Sequence, residues 1–422
     1  MIAAIAPVVI ALISLVLRVF NLDSIKSFIF DEVYYVDGAR DLLKYGVEVS
    51  GSQPEFIVHP PLGKWMIAAG IQIFGDNPFG WRIATAVVGS LLILVVALVA
   101  HKLFRNPLLT ALASALMALD GLALVLSRTS LLDNFLTFFI LLATYCFVIK
   151  KYWWTGVVLG LALATKWSAL YFVFIFALIA LYRAFSHHTG KDLIKPTLQR
   201  ILQFGVIPVS VYLASWSGWF VSTRGWARDH STNVFNSFIY YHQQMLNFHT
   251  GLTEKHTYEA NPWSWLIMGR PTSFFYESPK GCAAPSCSQE VIALGTPLLW
   301  WLGVAALSLV IGLWIRSFFT HLFDPAVTII VAGIAAGYLP WFFFQERTVF
   351  TFYAIIFEPF VILALVFAAR SILSNYKKWG EVLVAALFIL IFLNFVYFLP
   401  IFIGDVITYD AWQSRMWFPS WI

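Results

Sequence analysis

The sequence predicts an all-α polytopic membrane protein, and three observations carry that expectation. Of the 422 residues, 60% are apolar and 18% aromatic, while only 12% are charged; ordinary soluble domains carry about a quarter charged residues. Mean hydropathy is +0.78. The apolar residues fall in long runs, and the sparse charge collects in the short stretches between them. A soluble enzyme with a large core does not account for so many runs of that length. The net charge of +5 sits mostly in the connecting stretches, where it reports membrane orientation rather than nucleic-acid binding.

A bilayer core of roughly 30 Å takes about 20 apolar residues per helix. Runs of this kind lie near 3–20, 81–100, 108–126, 134–149, 153–165, 168–184, 200–219, 293–315, 325–345, 350–369 and 381–402, which makes about 11 spans. Ile2 to Phe20 has no basic stretch before it and is expected to be a retained span rather than a cleaved signal. Leu62 to Phe74 is amphipathic and too short to cross, so it is expected to lie along the membrane surface. The fifth and sixth runs are short and parted only by Lys166-Trp167-Ser168. No tandem repeat and no dinucleotide or P-loop glycine pattern interrupts the series. Residues 1–422 therefore read as a single transmembrane domain with two elaborated loops, 21–80 and 220–292.

Orientation follows from the short loops. With the N-terminus inside, the inner loops hold Lys102, Arg105, Lys150, Lys151, Arg183, Lys191, Lys195, Arg200, Arg316, Arg370, Lys377 and Lys378, whereas the short outer ones hold Arg128, Lys166 and Arg347. The positive-inside rule then puts the N-terminus in the cytoplasm and the C-terminus outside, in the cell membrane. Both elaborated loops fall on the outer face. There, Cys282 and Cys287 in Cys-Ala-Ala-Pro-Ser-Cys are expected to form a small disulfide loop, with metal binding by the two thiols as the rival. Cys146 lies inside an apolar run and reads as a small buried hydrophobe.

The residues that could carry chemistry gather on that face. Asp31-Glu32 follows Phe28-Ile29-Phe30 and precedes Val33-Tyr34-Tyr35, so two adjacent carboxylates are held at the membrane boundary. A solvated pair capping the helix that begins near Val33 is the plain alternative; low dielectric raising a carboxyl toward general-base duty is the functional one. His59-Pro60-Pro61 restricts the chain before the surface helix, and Lys64 on its first turn can snorkel to a lipid phosphate or serve as an interfacial anchor. Arg82 opens the second span. Arg128 ends the third and Asp133 starts the fourth, either as an ion pair or with Asp133 as a helix cap. Asp120, deeper in the third span, has no partner nearby in sequence and should face the interior. Lys166 and Arg347, with Tyr353 following, top two tight outer hairpins and suit a phosphodiester head group. The loop histidines fit no ligand spacing, so no metal is expected; a divalent ion at Asp31 and Glu32 is the weaker alternative.

In order, Phe30-Asp31-Glu32, His59-Pro60-Pro61-Leu62-Gly63-Lys64, Arg82, Ser127-Arg128…Leu132-Asp133-Asn134 and Lys166-Trp167-Ser168 resemble the protein O-mannosyltransferases, of an actinobacterial type, within the GT-C class of membrane glycosyltransferases. Pro262-Trp263-Ser264-Trp265…Arg270-Pro271 and Arg415-Met416-Trp417…Ser420-Trp421 extend the likeness to the whole chain. The resemblance implies a GT-C fold and inverting transfer of mannose from polyprenyl-phosphate mannose to Ser or Thr hydroxyls of secreted proteins, with no nucleotide sugar and no required cofactor. It implies Asp31 as the base with Glu32 beside it. Arg82, Lys166, Arg347, Tyr353, His59 and Lys64 would attend the donor, and Arg128, Asp133, Asn134 and Arg270 the loop and acceptor architecture. Expected partners are the lipid-linked donor, Ser/Thr-rich secreted proteins, membrane lipid and, as a further candidate, the Sec translocon. The loop 220–292 is too short for the folded lumenal domain of eukaryotic relatives, so acceptor choice does not carry over. Two rivals stand beside this reading: a GT-C transferase moving another sugar onto a lipid, and a lipid or sugar transporter, which the one-sided clustering of charge disfavours.

Overall fold

The computed structural model describes residues 2–422, with side chains from Ile5 onward. Helix α1 (Ile2–Val19) leads into the first loop, which is itself structured: α2 (Glu32–Tyr45), a two-residue antiparallel ladder of β1 (Val49–Ser50) with β2 (Gln53–Pro54), and α3 (Leu62–Phe74). The amphipathic stretch thus becomes a helix with the expected bounds. Its Gly63, Lys64, Ile67, Ala68, Gly70 and Ile71 face is buried, and it packs on α2 and on α4 (Pro78–Phe104).

The expected third span is broken. Helix α5 (Pro107–Ala118) stops where Asp120 turns the chain extended and accepts from the backbone N–H groups of Leu122 and Ala123, starting α6 (Gly121–Leu126). Asp120 also accepts from the Thr296 backbone (3.1 Å) and the Trp300 indole (2.8 Å), so a carboxylate without neighbours in sequence finds its partners in tertiary structure. Then come α7 (Leu132–Val148), α8 (Tyr152–Leu163) and α9 (Ala169–His187). The run near 200–219 is also divided, into α10 (Ile194–Ile201), a wide turn over Leu202–Val206, α11 (Ile207–Ser215) and α12 (Ser217–Val221).

The long loop holds α13 (Val234–Gly251) and the antiparallel strands β3 (Thr272–Glu277) and β4 (Cys287–Ala293). After α14 (Pro297–Thr320) and α15 (Pro325–Gly337), the two last expected spans are joined in α16 (Glu358–Ile403), interrupted at Lys377 (φ 45°, ψ −125°). Strand β5 (Val406–Thr408) adds to β4, and α17 (Tyr409–Gln413) follows. The chain is mostly helical, with this three-stranded sheet as an addition to the expected all-α class. Among the described residues, five helices are long and apolar enough to cross a membrane: Pro78–Phe104, Ala169–His187, Pro297–Thr320, Pro325–Phe343 and Glu358–Ile403. Shorter apolar helices, α1, α5, α7 and α8 among them, accompany these.

Candidate active site

Asp31 begins α2, but not as a cap. It occupies the position before the first turn, and its side chain makes no hydrogen bond there. Among the described residues no side-chain or backbone donor reaches its carboxylate. The residue before it explains how it is held. Phe30 has φ 51°, a left-handed conformation that is costly for a bulky side chain. Its ring is stacked on Phe274 at 4.7 Å and met edge-on by Phe352 at 5.6 Å and Phe350 at 5.8 Å. Aromatic packing from the distant half of the chain thus offsets the local strain.

Burial pushes the Asp31 carboxyl up from 3.8 to about 6; the Lys166 ammonium pulls against that rise and the Asp133 carboxylate adds to it. Lys166 and Asp133 are themselves joined: the ammonium donates to both Asp133 oxygens, at 3.0 and 2.9 Å. This fixes the Lys166 head group, leaves it one N–H, and sets it 5.2 Å from the Tyr353 ring centre. Asp133 is therefore the partner of Lys166, neither a helix cap nor a counter-ion for Arg128.

Close to Asp31, whose carboxyl feels the charges of Lys166 and Asp133, opens a cleft that does not count Asp31 among its walls; it is lined by His59, Asp133, Lys166, Trp167, Arg347 and Tyr353, with Tyr171, His249 and Trp341 among the remaining walls. Arg347 keeps a buried Nε without a partner. Burial, helped by the cations Lys166, Lys64 and Arg347 and by His249, holds the His59 imidazole well below its usual range, so its ring is neutral.

Several expected donor contacts lie elsewhere. Arg82 is 1% exposed and Glu32 0%, and the two form a bidentate pair at 2.8 Å on both arms. Arg82 also donates to the carbonyls of Leu22, Ile25 and Ser27, and Glu32 accepts from the backbone of Ile29 and Ser130. Every Glu32 oxygen is taken, so it cannot share the base role, and Arg82 is spent on shaping the loop rather than on a head group. Lys64 is likewise not at a lipid surface: it pairs with Glu48, both 4% exposed in their side chains. Gly38 makes room for that pair, since a Cβ there would stand 2.6 Å from Glu48 Oε1. Glu48 was not foreseen, because nothing in sequence ties it to Lys64.

Arg128 closes the C-terminal end of α1, donating to the carbonyls of Leu17, Arg18, Phe20 and Asn21. Asn134 donates to the Thr85 carbonyl, and Arg270 to those of Ser420, Ile422 and Thr257. Cys282 and Cys287 are bonded as a disulfide at the head of the β3–β4 hairpin. Among the described residues no group of three or more His, Cys, Asp or Glu side chains could hold a metal ion.

Residues 72–217 match the family model described as dolichyl-phosphate-mannose-protein mannosyltransferase, and residues 234–421 match the C-terminal four TMM region of protein-O-mannosyltransferase. The chain belongs to the protein O-mannosyltransferase family. Its curated relatives include the polyprenol-phosphate-mannose–protein mannosyltransferases of Mycobacterium tuberculosis (strain ATCC 25618 / H37Rv), 31% identical over 98% of this chain and 90% of the relative, and of Corynebacterium glutamicum, 32% identical over 98% and 92%. The solved S. cerevisiae protein O-mannosyltransferase Pmt1-Pmt2 complex bound to the sugar donor has the same GT-C fold, with a TM-score of 0.85 at 16% identity, covering 100% of this chain and 93% of that one. As a member of this family the protein is a glycosyltransferase of the membrane.

Proposed function

We propose that this protein transfers mannose from polyprenyl-phosphate mannose to Ser or Thr hydroxyls of secreted proteins, with inversion, on the outer face of the cell membrane. One observation carries the reading: an uncommitted, half-buried Asp31 carboxylate stands beside a cleft that holds Lys166 and Arg347. A hydroxyl is a poor nucleophile and needs a positioned base. Asp31 takes the acceptor proton as the acceptor oxygen bonds to the anomeric carbon. The bond from that carbon to the phosphate oxygen breaks on the opposite side, and its electron pair leaves with the polyprenyl phosphate. That product carries one more negative charge than the donor, and Lys166 and Arg347 stabilise it. His59 and Tyr353 line the same cleft, and in this reading they contact the sugar and head group. Asp133 holds Lys166 in position.

In this reading residues 1–422 form one catalytic domain, with the N-terminus in the cytoplasm and both elaborated loops outside. Acceptors rich in Ser and Thr reach the site from the Sec translocon. The lipid-linked donor is the only small molecule the step requires. The test is purified protein with polyprenyl-phosphate mannose and a Ser/Thr-rich peptide, with product linkage determined by NMR. Mannosyl peptide of inverted configuration is expected. Its absence, or equal use of a different sugar donor, would overturn the assignment.

A further inference from the structure

His249, near the C-terminal end of α13, reaches into the same cleft and has no role in the chemistry above. Its Nε2 lies 2.7 Å from the Val58 carbonyl, which can only accept, so that nitrogen carries the proton. Burial first, then the nearby Arg347 and Lys166, lower its basicity to a pKa of about 4, against the opposing effect of the Val58 bond, so the ring stays neutral. Nδ1 is then a bare acceptor, and it faces Arg347 Nη2 at 3.5 Å. His59 and Trp167 flank the ring at 5.3 and 5.8 Å between centroids, so it has little freedom to turn away. Arg347 has no carboxylate partner among the described residues, and its buried Nε is unmatched. Besides the face of the Trp341 ring, 5.9 Å from its guanidinium carbon, the imidazole is the group against which Arg347 rests.

Resting on the reading above, we propose that His249 is a positioning residue for the lipid phosphate: tethered to Val58, its ring presents Nδ1 to Arg347 and aims the guanidinium into the cleft. A neutral acceptor is suited to this task. It orients Arg347 without neutralising it, whereas an aspartate there would compete with the phosphate for the same donors. Lys166 is the contrast, a cation already paired with Asp133.

Two substitutions separate this role from a merely structural one. In His249→Asn, the side-chain oxygen takes the place of Nδ1 and the Val58 tether is lost. In His249→Gln, the amide nitrogen takes the place of Nε2, so the tether is kept and the acceptor for Arg347 is lost. Binding of undecaprenyl phosphate to the full-length protein in detergent is measured for each, alongside KM and kcat for polyprenyl-phosphate mannose. His249→Asn is expected within about threefold of wild type, and His249→Gln about tenfold weaker in Kd and donor KM with peptide KM unchanged. In an Arg347→Ala background the two variants should bind equally. The reverse order, equal loss in both, or a difference that persists without Arg347 would overturn the proposal. The lipid-binding arm does not depend on which sugar is transferred, so a wild-type protein that binds undecaprenyl phosphate yet makes no mannosyl peptide counts against the function alone.

Discussion

Replacing Asp31 by Asn removes the base while keeping shape and volume. A positioned general base contributes about 10²–10⁴-fold to a rate, so kcat/KM for peptide mannosylation should fall by that factor, equivalent to roughly 3–5 kcal/mol of barrier. The wild-type profile should rise with pH through about 6, where Asp31 ionises, and level off above it. The same shift acts on stability with a definite sign. A carboxyl whose folded pKa is raised from 3.8 to about 6 binds its proton more tightly in the native state. That contribution is fully present below about pH 3.8 and is lost as pH rises through about 6, an effect of roughly 3 kcal/mol at most. At pH 7.5 the Asp31→Asn protein should therefore be the more stable of the two by up to that amount. The difference should vanish near pH 4. Rates from a mannosyl-peptide assay and unfolding transitions in detergent at both pH values measure the two halves. A variant within tenfold of wild type, or a wild-type rate flat from pH 5 to 8, would refute the base assignment. A stability advantage of the variant over wild type that is no larger at pH 7.5 than at pH 4 would refute the desolvation argument.

Three further outcomes are expected. Glu32→Gln strands a buried Arg82 and should cost roughly 3–5 kcal/mol of stability, read by denaturant titration in detergent; a loss below about 1 kcal/mol would contradict the pairing. Lys64→Met should cost a similar amount by leaving Glu48 unpaired, and adding Glu48→Gln should recover most of it; strictly additive losses in that double-mutant cycle would show the two side chains to be independent. Cys282→Ser opens a very short loop and should cost about 2 kcal/mol with transfer rate retained, while a denatured, unreduced wild-type chain should bind one maleimide, at Cys146; labelling of three thiols would contradict the bond.

What was legible in the sequence was whatever depends on neighbours along the chain. Helix α3 has the expected bounds because Pro61 precedes its start and Gly75, at φ 89°, ends it. The break at Asp120 was not foreseen, since a single acid in an apolar run looks like a residue facing inward until Thr296 and Trp300 arrive to join it. Likewise the stretch between the expected spans 350–369 and 381–402, with Arg370, Lys377 and Lys378, reads as a loop, yet helix continues through it save at Lys377. The site shows the same division. Lys166 and Arg347 stand out in the sequence because, in the expected orientation, cations there oppose the topology bias, and both line one cleft in the structure. Their surroundings do not stand out: Glu32 meets Arg82 across 50 residues, and His249 meets Arg347 across 98. Residue type marked which groups were unusual, but only the packing of α2, α4 and α13 decided which were spent on each other.

The left-handed turn at Phe30 ties the two halves of the chain together in a way that bears on how this enzyme can vary. The residue that places Asp31 belongs to the first loop, but the rings that keep it in place, Phe274, Phe350 and Phe352, come from β3 and the segment before α16. Catalytic competence is thus hostage to side chains outside the cleft's lining. A change at Phe274 is expected to let Phe30 relax toward ordinary backbone and to shift Asp31, the proposed base, while leaving the residues that line the cleft unchanged. Exchanging N- and C-terminal halves between relatives would therefore preserve donor binding more readily than turnover, unless the aromatic box travels with the loop it grips.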